Sequence, residues 1–188
     1  MRVILHPKVS APLRRAPLAT LAKVVRRLAR DRGWRLLVTG GAGEGALVAP
    51  LATLPGAVAA GETNLPELAA LIVRAPVLVT MNIGPAHLAA ALGTPVVDLY
   101  ALTNLQHAPW RGRGLFRGGL CRVCLKSVCF EGHHRCLAGI EVGSVVAAVR
   151  EAPAGWAPAI PEDPAALFGT TGLGRGVDEA RDLLTLAR

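Results

Sequence analysis

The longest stretch of this chain without a charged residue covers residues 75–97. As a helix it would be long enough to span a bilayer, but Pro76, Asn82, Gly84 and Pro85 interrupt it with turn-forming residues. The stretch therefore predicts a buried strand, a tight turn, a helix that is apolar on several sides, and a second strand. Strands that are apolar on both faces are typical of a parallel sheet covered by helices, so we expect an α/β fold.

The same alternation of strand and helix occurs in the first half of the chain. Residues 2–6 predict a strand, and residues 18–30 place apolar side chains at helical spacing opposite basic ones. An apolar run at 34–39 ends in a glycine-rich turn, and Glu67 lies three residues after Asn64, as in a helix-starting capping box. This order predicts a doubly wound parallel sheet, with ligands at the carboxyl ends of its strands.

The length and composition favour one main domain. The chain has 188 residues, of which 52% are hydrophobic and 4% aromatic, enough for one sizeable core. We expect a domain over residues 1–150 that includes a cysteine-rich segment at 121–136. Residues 151–188, rich in Pro and Ala at their start, are expected to form a linker and a C-terminal tail or helix.

Basic residues are concentrated in two blocks. Residues 1–35 carry ten positive charges and one negative, and residues 111–135 carry six and one, within a net charge of +8. Such blocks suit anionic partners, which include phosphates, nucleic acid and lipid headgroups. The N-terminus has no extended apolar segment of the secretory type, so a cytoplasmic location is expected.

The segment from Asn82 to His87 is the first candidate binding site, because it turns a strand directly into a helix. The N–H groups at such a helix start attract anions, and Gly84 allows a phosphate to approach the backbone closely. Pro85 suits the first helical position, and His87 offers a side-chain donor. An ordinary strand-to-helix turn with a packed histidine is the alternative.

The glycine-rich turn after the second strand is another candidate site. Gly40 and Gly41 resemble part of a phosphate loop, but neither the P-loop pattern nor the dinucleotide pattern is completed. Glu44 suits hydrogen bonding to ribose hydroxyls, or it is simply an acidic residue that is stabilised at a helix start.

The four cysteines of the chain all fall within sixteen residues. Their spacing predicts a zinc site formed by Cys121, Cys124, Cys129 and Cys136, with His134 as an alternative fourth ligand. With His134 the spacing is similar to that of a zinc knuckle, a module that binds single-stranded nucleic acid. Two local disulfides or free thiols are the other interpretations.

Four segments in this order resemble glycosyltransferase family 9, the lipopolysaccharide heptosyltransferases: HPKVSAPLRRAP, LLVTGGAGE, GETNLPELAALIVRAPVLVTMNIGPAHLAAALGTPVV and CRVCLKSVCFEGHHRCL. The resemblance covers residues 3–150 and is to the C-terminal half of the family. It implies one Rossmann-like half of a GT-B fold that binds a nucleotide-sugar donor, ADP-heptose or similar. Transfer would go to a glycan or lipid-linked acceptor, without a cofactor.

The resemblance also implies roles for particular residues. The donor phosphates would contact Arg14 and Arg15, the nucleoside would approach Glu44, and the phosphate-binding turn would comprise Gly84, Pro85 and His87. Thr103 matches a threonine of the following loop. The chain departs from the family at Asn82, where an aspartate is usual, and an amide cannot replace a carboxylate as a base or charge partner.

The family's N-terminal domain, which carries the acceptor site and the expected base, has no counterpart in these segments. The chain alone is therefore expected to be inactive or nearly so, and to need an acceptor-binding partner, with contact at the inner face of the membrane. The alternatives are a non-catalytic nucleotide-sugar-binding remnant and a zinc-dependent nucleic-acid binder, although nucleic acid is not the expected partner.

Overall fold

The structure is a computed structural model that describes residues 2–31, 34–101, 108–109, 112–115 and 128–152. The strands are β1 (Arg2–Leu5), β2 (Arg35–Gly40), β3 (Ala57–Glu62), β4 (Leu78–Met81), β5 (Val96–Leu99) and β6 (Arg113–Leu115). The helices are α1 (Leu18–Arg30), α2 (Gly45–Ala52), α3 (Leu65–Arg74), α4 (Gly84–Ala91), α5 (Arg135–Ala138) and α6 (Val142–Glu151), and a 3-10 turn covers Pro12–Arg14.

The strands form one parallel sheet in the order β3-β2-β1-β4-β5-β6. The chain runs outward from β1 to β3, then returns through α3 to place β4 on the other side of β1. This reversal confirms the predicted doubly wound α/β fold, and it brings the carboxyl ends of β1 and β4 together. The seam between these two strands is aligned at Ile4–Leu78 and Leu5–Val79.

Helices cover both faces of the sheet. On one face α1, α2 and α6 enclose the larger core, in which Leu21, Leu28 and Val145 are fully buried. On the other face α3 and α4 pack through Leu71, Ala86 and other small or aliphatic side chains. Because every residue of β4 and β5 is buried, these strands lack the polar alternation of a one-sided sheet.

The predicted helix starts are confirmed with one small shift. The capping box of α3 is complete, since Asn64 Oδ1 accepts from the Glu67 N–H at 2.9 Å and Glu67 Oε2 accepts from the Asn64 N–H at 2.7 Å. Helix α4 begins at Gly84, so Pro85 lies at its second position rather than its first. Proline is tolerated there because the second N–H of a helix has no partner within the helix.

Three short elements were not predicted from the sequence: the 3-10 turn, β6 and α5. Each has three or four residues, too few to show a periodic pattern. The predicted linker and terminal helix beyond residue 152 lie outside the described residues, as do Thr103, Cys121 and Cys124. Among the helices that the structure describes, none is long and apolar enough to cross a membrane.

Candidate functional site

A cleft of about 340 Å³ opens at the carboxyl edge of the sheet, above the seam between β1 and β4. It is bordered by the segments that follow β1, β2 and β3 and by the beginnings of α3 and α4. The described lining residues are His6, Lys8, Val9, Ser10, Gly41, Glu44, Thr63, Asn64, Leu65, Leu68, Ile83, Gly84 and Pro85. This is the place where a doubly wound sheet binds its ligands.

Glu44 is the carboxylate of the cleft, and both of its oxygens have partners. Oε2 accepts a hydrogen bond from the Gly41 N–H at 2.8 Å, and Oε1 forms an ion pair with Lys8. Burial alone would raise the pKa of Glu44, but the hydrogen bonds from Lys8 and the Gly41 N–H outweigh it and lower the pKa below its ordinary value. Glu44 is therefore charged at neutral pH.

The glycine-rich turn that carries Glu44 is fixed from both sides. Gly40 lies so close to α2 that an added Cβ would come within 2.6 Å of Val48, which explains a glycine there. The Thr63 hydroxyl donates to the Gly40 carbonyl oxygen at 3.1 Å, and Gly43, in the left-handed region at φ 77°, donates its N–H to Glu62 at 3.1 Å. The turn thus presents Gly41 and Glu44 to the cleft, whereas Gly40 is buried behind them.

A row of polar side chains crosses the sheet beneath the cleft, on the face covered by α3 and α4. We call Thr39, His6, Thr80 and Asp98, on or directly after β2, β1, β4 and β5, the polar row. His6 Nδ1 and Thr39 Oγ1 form a hydrogen bond of 2.9 Å, and the Thr80 hydroxyl donates to the His6 carbonyl oxygen at 3.0 Å. Asp98 lies next to Thr80 in the register of β4 and β5.

Burial shifts both titratable members of the polar row toward their neutral forms. Desolvation is the largest effect on His6 and lowers its pKa to about 4, although the nearby Glu44 charge opposes this shift. Asp98 is fully buried, and neither of its carboxylate oxygens has a hydrogen-bond partner in the described part of the chain. Desolvation raises the pKa of Asp98 to about 7.

The beginning of α4 forms the other wall of the cleft. Gly84 is exposed, and no atom would lie within 4 Å of an added Cβ, so a ligand can approach the backbone there. Pro85 has no N–H, and the Ala86 N–H bonds the Ile83 carbonyl oxygen at 3.0 Å. Among the described residues the Gly84 N–H meets no acceptor, so it remains available to an anion in the cleft.

The other predicted binding residues lie outside the described lining of this cleft. Asn82 is buried at the end of β4, and His87 is exposed on α4 but does not border the cleft. Arg14 ends the 3-10 turn and is half-buried, Arg15 follows it and is exposed, and neither is among the described lining residues of the cleft. The structure therefore brings together Gly41, Glu44, Gly84 and Pro85 from the predicted set.

Five polar lining residues were not predicted as site residues: His6, Lys8, Ser10, Thr63 and Asn64. His6 was assigned to the end of a strand and Lys8 to the basic block, although both directly follow a strand whose carboxyl end meets the predicted site. That position relative to the strand was the available signal.

The described part of the cysteine-rich segment, residues 128–136, gives no support to the predicted zinc site. In the described ranges no group of three or more His, Cys, Asp or Glu residues could hold a metal ion. Cys129 is a half-buried free thiol, and Cys136 packs partly against the larger core. His134 Nε2 is 2.7 Å from the Leu13 carbonyl oxygen and must donate to it, so that nitrogen is not available as a metal ligand.

Comparisons with known proteins match this fold and this region of the chain. The model of glycosyltransferase family 9 (heptosyltransferase) matches residues 3–116. Lipopolysaccharide heptosyltransferase 3 of Escherichia coli K12 is 38% identical over 96 residues, which are 48% of this chain and 27% of that protein. The chain thus spans about a quarter of the length of this relative.

Two solved structures share the fold of the chain. The family 9 glycosyl transferase of Veillonella parvula has a TM-score of 0.70 at 23% identity, over 82% of this chain and 46% of that one. The ADP-heptose lipopolysaccharide heptosyltransferase II of E. coli has a TM-score of 0.65 at 24% identity, over 81% and 46%. With more than half of its residues inside the family model, this chain belongs to glycosyltransferase family 9.

Proposed function

We propose that this chain is a donor-binding domain of a heptosyltransferase-type enzyme, and that the cleft above the β1–β4 seam holds a nucleotide sugar. The observation that carries the proposal is that Glu44 and the exposed start of α4 border one cleft. A nucleotide sugar needs both features, because it combines hydroxyl groups with a diphosphate. The solved E. coli structure that shares this fold is named an ADP-heptose lipopolysaccharide heptosyltransferase II, which supports ADP-heptose as the donor to test first.

In this proposal the two walls of the cleft bind different parts of the donor. The diphosphate lies against the Gly84 N–H, where the partial positive charge of the helix start stabilises it. Glu44 accepts hydrogen bonds from ribose or sugar hydroxyls. Stabilising the departing nucleoside diphosphate would be the contribution of this domain to transfer.

Acceptor binding and deprotonation are assigned to a further domain or partner. Glu44 is the carboxylate among the described lining residues, and it is already held by Lys8 and Gly41. Deprotonating an acceptor hydroxyl needs a base within hydrogen-bond reach of that hydroxyl. A lipid-linked core sugar is the acceptor we propose, with the reaction at the inner face of the membrane.

The test is calorimetric titration of the full chain with ADP, ADP-heptose and UDP-glucose. Saturable binding of ADP and ADP-heptose is expected, weakened about tenfold or more by Glu44→Ala, because a charge-assisted hydrogen bond is lost. Glu131→Ala, at an exposed residue outside the cleft, is the matched control and should bind like the parent chain. Folded protein that binds neither ADP nor ADP-heptose would disprove the proposal.

A second candidate is a binding protein without catalysis, and Asn82 favours it. The resemblance places a carboxylate at this position, whereas the chain has a buried amide. Release of ADP from ADP-heptose in the presence of an acceptor-domain partner would separate the two candidates. Donor binding with no release, in the parent chain and in Asn82→Asp alike, would favour the non-catalytic protein.

A further inference from the structure

The ion pair between Lys8 and Glu44 is the starting point, because its two members are held very differently. The Glu44 side chain is 10% exposed and is fixed by the Gly41 N–H, whereas the Lys8 side chain is 52% exposed. Lys8 lies in the segment after β1 and has rotatable bonds along its whole stem. If the pair separates, the ammonium group moves and the carboxylate stays.

The pair also determines the charge of the cleft. Lys8 and Glu44 are the charged side chains among its described lining residues, and their charges cancel. His6 beneath them stays neutral at physiological pH, since burial lowers its pKa to about 4. A diphosphate entering beside Gly84 therefore meets the Gly84 N–H, which has no acceptor among the described residues, and an ammonium group that is already bound to a carboxylate.

We propose that Lys8 is an exchangeable cation, which leaves Glu44 for the diphosphate of the incoming ligand and thereby frees Glu44 Oε1 for a hydroxyl group of the same ligand. This inference rests on the proposed function of the cleft as a nucleotide-sugar site. The freed Lys8 ammonium group stays hydrated because its side chain is half exposed, whereas Glu44, which is largely buried, needs the ligand's hydroxyl group to replace its lost partner. The ammonium–phosphate contact that replaces it is charge-assisted.

The exchange has a consequence for specificity. A ligand with phosphate alone must draw Lys8 away and leaves Glu44 without its cation. A ligand with hydroxyls alone must compete with Lys8 for Glu44. A ligand that carries both groups satisfies both side chains at once, so it should bind more tightly than its two halves predict.

The test titrates the full chain with inorganic pyrophosphate, adenosine and ADP, the adenosine titration being followed by NMR. Lys8→Met should weaken pyrophosphate and ADP about tenfold and strengthen adenosine, because Glu44 becomes free. Glu44→Gln should do the reverse, strengthening pyrophosphate about threefold or more and weakening adenosine. Effects of opposite sign on the two probes are the signature of an exchange.

Lys23→Met is the matched control, since Lys23 is an exposed lysine of α1 on the other face of the sheet. It should leave the affinities for all three probes unchanged. If both cleft variants weaken pyrophosphate and adenosine alike while the parent chain binds ADP, the exchange is disproved and the proposed function survives. Expected signs for pyrophosphate and adenosine, without binding of ADP, would disprove the proposed function alone. No binding of any probe would disprove both.

Discussion

The polar row has two different ends, although both are buried in the same sheet. Under the cleft, His6 is paired with Thr39 at 2.9 Å. On β5, Asp98 is fully buried and has no hydrogen-bond partner in the described part of the chain. Burial thus favours the neutral form of a base and of an acid alike, because it lowers the pKa of His6 to about 4 and raises that of Asp98 to about 7.

These two shifts have opposite effects on stability. The unfolded chain protonates His6 below about pH 6.5 while the folded chain does not, so His6 makes the free energy of unfolding fall as pH drops from 6.5 to 4. The unfolded chain ionises Asp98 above about pH 3.8 while the folded chain keeps its proton, so Asp98 makes that free energy fall as pH rises from 4 to 7. In the parent chain the two slopes largely cancel between pH 4 and 6.5.

The largest expected effect comes from His6→Asn, which exposes the contribution of Asp98. The amide removes the titrating ring and keeps a polar atom near Thr39. The pH dependence that His6 contributes, which opposes that of Asp98, therefore disappears. The free energy of unfolding should then fall by on the order of 4 kcal/mol between pH 4 and pH 7, from a pKa difference between about 3.8 and about 7. Urea unfolding at a series of pH values measures this change. A flat profile would show that Asp98 has a partner.

The second largest expected effect comes from Asp98→Asn, which exposes the contribution of His6 to the pH dependence of stability. Without the carboxyl, His6 alone sets the slope, and the free energy of unfolding should rise by on the order of 3 kcal/mol from pH 4 to pH 6.5. The same urea series gives the result, with Glu131→Gln, an exposed acid, as the control that keeps the parent profile. A profile like that of the parent would mean that Asp98 does not titrate in this range.

The smallest expected effect comes from Thr39→Val, which removes the hydrogen bond between Thr39 and His6. Removing the hydroxyl leaves His6 Nδ1 without its partner, and we expect a loss of about 1 kcal/mol at pH 7. Thr94→Val is the matched control, because Thr94 also makes one buried hydrogen bond, to the Ile72 carbonyl oxygen at 2.9 Å. Both variants should lose similar stability, but only Thr39→Val should weaken ADP binding in the cleft above. Equal ADP affinity in the two variants would show that the polar row does not contribute to ADP binding in the cleft.

The fold was largely predictable because its signals are local. The strand runs, the turn at Gly84 and Pro85, and the Asn64–Glu67 capping box each depend on residues a few positions apart. The strand β6 escaped prediction because Arg113–Leu115 acquires its role by pairing with β5, which is distant in sequence.

The candidate site was predictable only in part, since its contacts are long-range. Glu44 and Gly84 stood out as residues at the start of helices, which a sequence reveals. The Lys8–Glu44 pair joins the segments after β1 and β2, and the lack of a described hydrogen-bond partner for Asp98 depends on which side chains cover β5. Neither could be deduced before the strand order was known.

The seam between β1 and β4 has a dynamic consequence. It is aligned at two residue pairs, against four for β1 with β2 and for β4 with β5, and the Ile4 and His6 N–H groups cross it to the carbonyl oxygens of residues 77 and 79. Because residues from both sides of this seam line the cleft, a molecule bound there should stabilise the hydrogen bonds across the seam. The amide hydrogens of Ile4 and His6 should then exchange with solvent more slowly, so they would report occupancy of the cleft from inside the protein.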